Sequence, residues 1–172
     1  MGSGKGFAAR YLAKKYNYNI ISMGNIVRAV ARREKMKPTR ENLEKLQKEY
    51  SEKYGKDFVL IEVLKKAEKM KGPIILDGIR KPVQARLAKK KLDAVLIDIH
   101  AAPKIRFSRL KKRGRKSDSK AFDEFKRIEA KEDKVFGISR TLKMADFRIN
   151  NDDGKPRLYR DLDSLIKRTN SK

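Results

Sequence analysis

Apolar residues in this chain come in short, regularly spaced runs. Residues 7–16 (FAARYLAKKY) carry them at helical spacing, and 19–22 (NIIS) reads as a buried strand closed by a Met23-Gly24 turn. Segment 25–35 sets Ile26, Val27 and Val30 on one face, which predicts a helix. Lys37-Pro38 breaks it, and Thr39 stands where it can cap a helix over 40–54 that Gly55 ends. Segment 57–70 is the next helix, with Val59, Ile61, Val63 and Leu64 as apolar contacts. Gly72-Pro73 leads into IILD at 74–77, a strand apolar on both faces. Residues 81–91 form a basic helix, and AVLIDI at 94–99 is the second strongly buried strand. Segments 103–113, 119–136 and 138–145 read as helical and FRIN at 147–150 as a weaker strand. Asn151 to Gly154 is a turn before a final helix over 156–169.

Alternation of this kind predicts an α/β fold, a parallel sheet covered by helices on both faces. Ligands of such sheets bind beyond the carboxyl ends of the strands. The chemistry is therefore sought in the loops that follow strands.

Composition narrows the choices. The 172 residues include 46 Lys plus Arg against 22 Asp plus Glu, a formal net charge of +24. The charge is spread along the chain, so no basic tail forms a separate nucleic-acid arm. A field of this sign attracts nucleotides and RNA, and it also describes a plain solvated surface. With no cysteine there is no disulfide, thiolate nucleophile or cysteine metal site. The lone His100 excludes a multi-histidine site and reads as an ordinary strand-end residue. No apolar run approaches the ~20 residues that span a membrane, and no signal peptide opens the chain. A cytoplasmic protein is expected, and its Lys and Glu content with no Cys suits heat stability.

Four segments carry candidate chemistry. Gly2-Ser3-Gly4-Lys5-Gly6 precedes a helix. Glycines let backbone N–H groups approach an anion, the helix N-terminus favours it, and the Lys5 ammonium reaches outer phosphates. This is the second half of a P-loop, G-x-x-x-x-G-K-[ST], with Gly6 in the Ser/Thr position. A flexible or appended terminus has the same look. At Ile74–Arg80, a buried strand ends in Asp77, where a carboxylate can hold Mg²⁺ or cap the next helix. Arg80 follows into the same crevice. In ISMGNIVR at 21–28, strand, turn and helix bring Arg28 near that crevice, or leave it facing solvent. Arg106, Arg109 and Arg113 recur on one helix face, followed by Arg115, Asp118 and Arg127. Such a cluster can close over a transferring phosphoryl group, bind RNA or be solvated.

In this order, the segments resemble the nucleoside monophosphate kinases, and within them the archaeal adenylate-kinase-related group that also resembles dephospho-CoA kinase. GSGKG resembles that family's loop, and ISMGNIVR its acceptor segment. DGIRKPVQA resembles D-G-F-P-R-x-x-x-Q-A, one residue shorter. RLKKRGR keeps the R-x-x-x-R spacing found before the lid. The resemblance implies a three-layer P-loop NTPase domain over 1–172, with an acceptor-binding helical insertion near 25–70 and an arginine-rich lid near 114–137. It implies ATP- and Mg²⁺-dependent phosphoryl transfer to a nucleoside monophosphate, AMP first, or a related phosphate. By it Gly2, Ser3, Gly4, Lys5, Gly6, Arg109 and Asn151 hold the donor nucleotide, and Asp77 the metal. Ser22, Gly24, Arg28, Arg80 and Gln84 belong to the acceptor site, with Gln84 at its base. Lys5, Arg80, Arg113 and Arg127 act on the transferring group. Two further classes stand beside this one: a nucleotide-binding ATPase acting with RNA or in ribosome assembly, and a nucleotide sensor without turnover.

In this fold class a strand precedes the P-loop and lies between the Asp77 strand and the AVLIDI strand. It is missing from the chain. Its absence leaves a gap of roughly 10 Å between neighbours whose unpaired backbone groups each cost about 1–3 kcal/mol if buried. The expectation is a native chain that starts upstream of Met1, or a weakened form.

Overall fold

The computed structural model describes residues 1–55, 58–114 and 118–170. The expected Arg115 and the start of the expected lid, at 115–117, lie outside them. The chain runs α1 (Lys5–Tyr16), β1 (Asn19–Ser22), α2 (Met23–Arg33), α3 (Arg40–Tyr54), α4 (Phe58–Ala67), β2 (Ile74–Asp77) and α5 (Pro82–Leu92). It continues with β3 (Ile97–His100), α6 (Pro103–Arg113), α7 (Phe122–Phe136), α8 (Ile138–Leu142), β4 (Phe147–Asn150) and α9 (Lys155–Asn170).

The strands pair in parallel, β1 with β2 and β3 with β4. The two pairs share no ladder, where one continuous sheet was expected. The break separates β2 from β3, the position at which the sequence reading places the strand before the glycine loop. Both pairs still serve a common layer. Ile74 and Leu76 of β2 pack toward a cluster of Ile21, Met23, Val27, Val30, Leu46, Leu60 and Val63 from β1, α2, α3 and α4. Ile75, between them, packs on the opposite cluster of Leu12, Ile99, Ile149, Leu158 and Leu162 from α1, β3, β4 and α9. The alternation is that of a strand covered on both faces. Burial of these aliphatic side chains, at about 1.5–3 kcal/mol each, is what holds α1 and α9 on one side and α2–α4 on the other.

Several boundaries differ from the sequence reading: the helices expected over 119–136 and 138–145 run Phe122–Phe136 and Ile138–Leu142, that expected over 57–70 ends at Ala67, and two further differences have a visible cause. Met23 starts α2 directly rather than making a turn, because its side chain is buried in the core. AVLIDI pairs only from Ile97. The Leu96 amide instead donates to the Asp146 carboxylate at 2.7 Å, and Val95 is exposed. Thr39 caps α3 as expected, accepting from the Asn42 amide.

Candidate phosphate-binding site

The segment Gly2–Gly4 runs straight into α1. Gly2 and Gly4 have φ of +73° and +103°. A Cβ on Gly2 would stand 2.5 Å from the Arg106 carbonyl oxygen, and one on Gly4 2.2 Å from Asn151 Nδ2. Only glycine lets the loop lie this close to α6 and to the turn after β4. Gly4 accepts from the Phe7 and Ala8 amides. The N–H groups of Ser3, Gly4, Lys5 and Gly6 meet no acceptor among the described residues. Free donors at the start of a helix make a place for an anion.

Lys5 stands over this loop, its Nζ 3.5 Å from Ser3 Oγ. Its pKa lies below the ordinary 10.5. Loss of water around the ammonium is the main cause. Asp77 and Asp98 oppose the shift, while the Arg80 and Arg106 charges add to it. The same balance places both carboxylates within electrostatic reach of Lys5. Asp98 is itself buried and paired with Arg148 at 2.8 Å.

On the acceptor side, Ser22 and Asp77 are register partners at the ends of β1 and β2. Gly78 follows with φ +96°, turning the chain away from the strand. Arg28 lies one turn along α2, folded back so that Nη2 donates to Asn25 Oδ1 at 2.5 Å and the guanidinium covers Gly24. Gln84 is buried. Its Oε1 accepts from the Arg80 and Lys81 amides, both at 3.2 Å, so it pins the turn that presents Arg80.

On the donor side, Asn151 Nδ2 donates to the Ser3 carbonyl at 2.7 Å, and Arg109 Nη2 to the Asn151 carbonyl at 2.8 Å. Arg109 Nη1 and Asn151 Oδ1 are buried without a partner among the described residues. Such atoms are costly to leave unmatched. An orphan donor and an orphan acceptor beside a glycine loop fit a polar ligand with both kinds of group. Asp152 holds the turn in place by accepting from the Ala102 amide at 2.7 Å.

The arginines divide. Arg80 pairs with Glu132 at 3.4 Å and lies over the Phe136 ring. Arg106 pairs with Glu129, donates to the Ala101 carbonyl and stands over Phe125. Both carboxylates come from α7, and their i, i+3 spacing is the signal that could have placed them on one face. Arg113 pairs with Asp118 at the end of α6. Arg127 is exposed on α7, two residues after the buried Phe125. Arg106, Glu129, Glu132 and Asp98 are the site residues the motifs did not reveal as a set. His100 is exposed, and its carbonyl accepts from the Asn151 amide.

Among the described residues no three His, Asp or Glu side chains gather as a metal cluster. The lone Asp77 carboxylate beside the Ser22 hydroxyl still suits Mg²⁺, which keeps waters and takes its other ligands from phosphates. No helix among the described residues is long and apolar enough to cross a membrane.

A family model described as an AAA domain matches residues 1–126. A UPF0200 protein of Methanocaldococcus jannaschii is 34% identical over 168 residues, covering 96% of this chain and 84% of that one. A UPF0200 protein of Pyrococcus furiosus is 32% identical over 171 residues, covering 96% and 91%. Among solved structures, shikimate kinase from Bacteroides thetaiotaomicron aligns with a TM-score of 0.64 at 15% identity, over 99% of this chain and 94% of that one. The fold is thus that of the kinase-like P-loop proteins.

Proposed function

The chain belongs to the UPF0200 family and carries an AAA domain, and from that premise we propose that it is an ATP- and Mg²⁺-dependent phosphotransferase acting on a nucleoside monophosphate or a related small phosphate. One observation carries this reading. Unsatisfied loop amides and the Lys5 ammonium stand at the start of α1, and Asn151, bonded to the Ser3 carbonyl and held by Arg109, brings two buried orphan atoms beside that loop. The resemblance of the sequence motifs and the kinase-like fold support it.

The parts divide the work as follows. Lys5 and the amides of residues 3–6 bind the outer phosphates of ATP. Arg109 and Asn151 meet the donor nucleotide with their orphan atoms. Asp77 and Ser22 would hold Mg²⁺, which would supply neutralisation of phosphate charge. Ser22, Gly24 and Arg28 face the acceptor, and Gln84 positions the Arg80 turn. Arg80 exchanges Glu132 for the acceptor or transferring phosphate, and Arg113 at the mouth of α6 adds positive charge. Little covalent chemistry is asked of the protein; alignment of the reacting oxygens and stabilisation of charge do most of it.

AMP is the first acceptor to try. The test incubates the protein with Mg-ATP and each of AMP, CMP, UMP, GMP and dephospho-CoA, and resolves products by chromatography. An acceptor-dependent diphosphate, or CoA, supports the reading and names the substrate. ATP consumed with no acceptor product, or not at all, overturns it.

A further inference from the structure

Below the phosphate-binding loop, α1 and α9 enclose a groove of about 520 Å³ lined by Phe7, Arg10, Tyr11, Lys14, Lys15 and Tyr159. Phe7, Arg10, Tyr11 and Lys14 follow the i, i+3, i+4, i+7 pattern, so they share one face of α1. That face alternates rings and cations over about 10 Å of helix. Core helices in this protein use such spacing for aliphatic side chains. Here it is given to an exposed phenylalanine, 44% accessible, and to charged groups.

The charges are available. Arg10, Lys14 and, at the groove's edge, Lys155 form no ion pair among the described residues. Arg10 and Lys155 lie over the Phe7 ring, 4.9 and 4.3 Å from its centroid. Lys15 is the exception: Asp163 holds it at 2.7 Å. The same carboxylate accepts from Tyr11 Oη at 2.7 Å and Tyr16 Oη at 2.8 Å. Asp163 therefore acts as a clamp. It spends its charge on Lys15 and fixes the Tyr11 ring, which stacks on Tyr159 at 4.0 Å and 4°. Tyr11 carries Tyr159 on its ring and the Lys15 ammonium 5.4 Å from its centroid, so the rings left to take a base are Tyr159, on its outer face, and Phe7.

We propose that the α1–α9 groove binds single-stranded RNA. Unpaired bases stack on aromatic side chains whatever their sequence, while Lys and Arg follow the backbone phosphates. A duplex hides its base faces and could use only the cations. An acidic peptide could use the cations but has no flat rings to match Phe7 and the tyrosine pair. The Tyr159 hydroxyl makes no hydrogen bond among the described residues, which leaves it for a 2′-hydroxyl, the group that separates RNA from DNA. A base on Phe7 displaces Lys155 or Arg10 from the ring and frees that cation for a phosphate. The excess positive charge of the whole chain adds long-range attraction. The groove is separate from the acceptor residues, so this inference does not depend on the proposed reaction.

The test is fluorescence anisotropy with a labelled twelve-nucleotide oligouridine, about 12 units long so as to exceed the groove, over a range of KCl concentrations. The double variant Arg10→Ala, Lys14→Ala removes two surface cations and none of the groups assigned to the phosphate site. It is expected to bind at least ~10-fold more weakly and to reduce the slope of log K against log salt by about 1.4, or 0.7 per lost phosphate contact. Phe7→Ala is expected to lose about fivefold or more with the slope unchanged, because stacking is not ionic. Unchanged affinity and slope in the double variant overturns the proposal. Equal binding of a duplex of the same length, or of the deoxy strand, overturns it as well. Circular dichroism and Mg-ATP binding by the double variant, both expected at wild-type levels, separate loss of the groove from loss of the fold.

Discussion

Gly4→Ala is the sharpest perturbation of the loop. The residue has φ +103° and ψ 3°, in a region that costs an L-residue about 1–2 kcal/mol. Its Cβ would stand 2.2 Å from Asn151 Nδ2, far inside contact distance. Asn151 must then leave, and its 2.7 Å bond to the Ser3 carbonyl breaks in a buried place, at about 1–3 kcal/mol. The sum is roughly 2–5 kcal/mol, a large share of a typical stability of about 5–15 kcal/mol. Urea unfolding followed by circular dichroism measures it. At about 2–4 °C per kcal/mol for a chain of this size, melting should fall by roughly 4–20 °C. Asn151→Ala supplies the control, since it clears the space. Adding Gly4→Ala to it should cost only the backbone share, about 1–2 kcal/mol. A Gly4→Ala protein within about 0.5 kcal/mol of wild type, the usual span of a harmless surface change, would refute the account of the loop. So would an equal cost in both backgrounds, because the clash with Asn151 would then contribute nothing.

Other outcomes follow from the same geometry. Arg80→Ala should lower turnover at least ~10-fold in the acceptor assay, as expected for a lost charge on the transferring group; an unchanged rate removes Arg80 from the machinery. Asp77→Asn should abolish the Mg²⁺ dependence of ATP binding, measured by calorimetry with and without EDTA, while leaving metal-free binding near wild type. Binding of ATP should weaken with alkali before an ordinary lysine titrates. The free-protein Lys5 pKa lies below 10.5, so the ammonium deprotonates earlier, and phosphate binding must draw a proton back onto it. The pH profile of ATP affinity checks this: Lys5→Arg should stay flat where wild type declines. For stability the sign is that of a depressed base. The charged form is disfavoured in the folded state below the folded pKa, and that penalty is relieved as pH rises toward 10.5.

Much of the architecture was legible in the chain. The helices announced themselves by 3.6-residue spacing and by breakers such as Lys37-Pro38 and Gly55. Parallel pairing followed from the alternation of strands and helices. Thr39 acted as its residue type suggests. The division of the sheet into two pairs depends on which strands meet, a long-range property that local pattern does not carry. The shortening of AVLIDI came from Asp146, 50 residues away, whose carboxylate takes the Leu96 amide. What could be read of the candidate site was its backbone: glycines at 2 and 4 that take positive φ, and Asp77 at a strand end. The candidate site was not legible where side chains choose among partners. Gln84 is polar and follows Arg80, which suits a base contact, yet its oxygen satisfies two turn amides. Arg80 and Arg106 were visible as cations, but the glutamates that hold them lie on α7, about fifty and about twenty residues away in the chain.

In the proposed reaction residues 2–6 grip the phosphates of ATP, with Lys5 as the charged member. The decisive comparison is equilibrium binding of Mg-ATP to wild type and to Lys5→Ala, at one salt concentration and neutral pH. Lys5→Ala should bind at least ~10-fold more weakly, a loss of about 1.4 kcal/mol or more, in a protein that melts no lower than wild type. Wild-type affinity in Lys5→Ala would contradict that role.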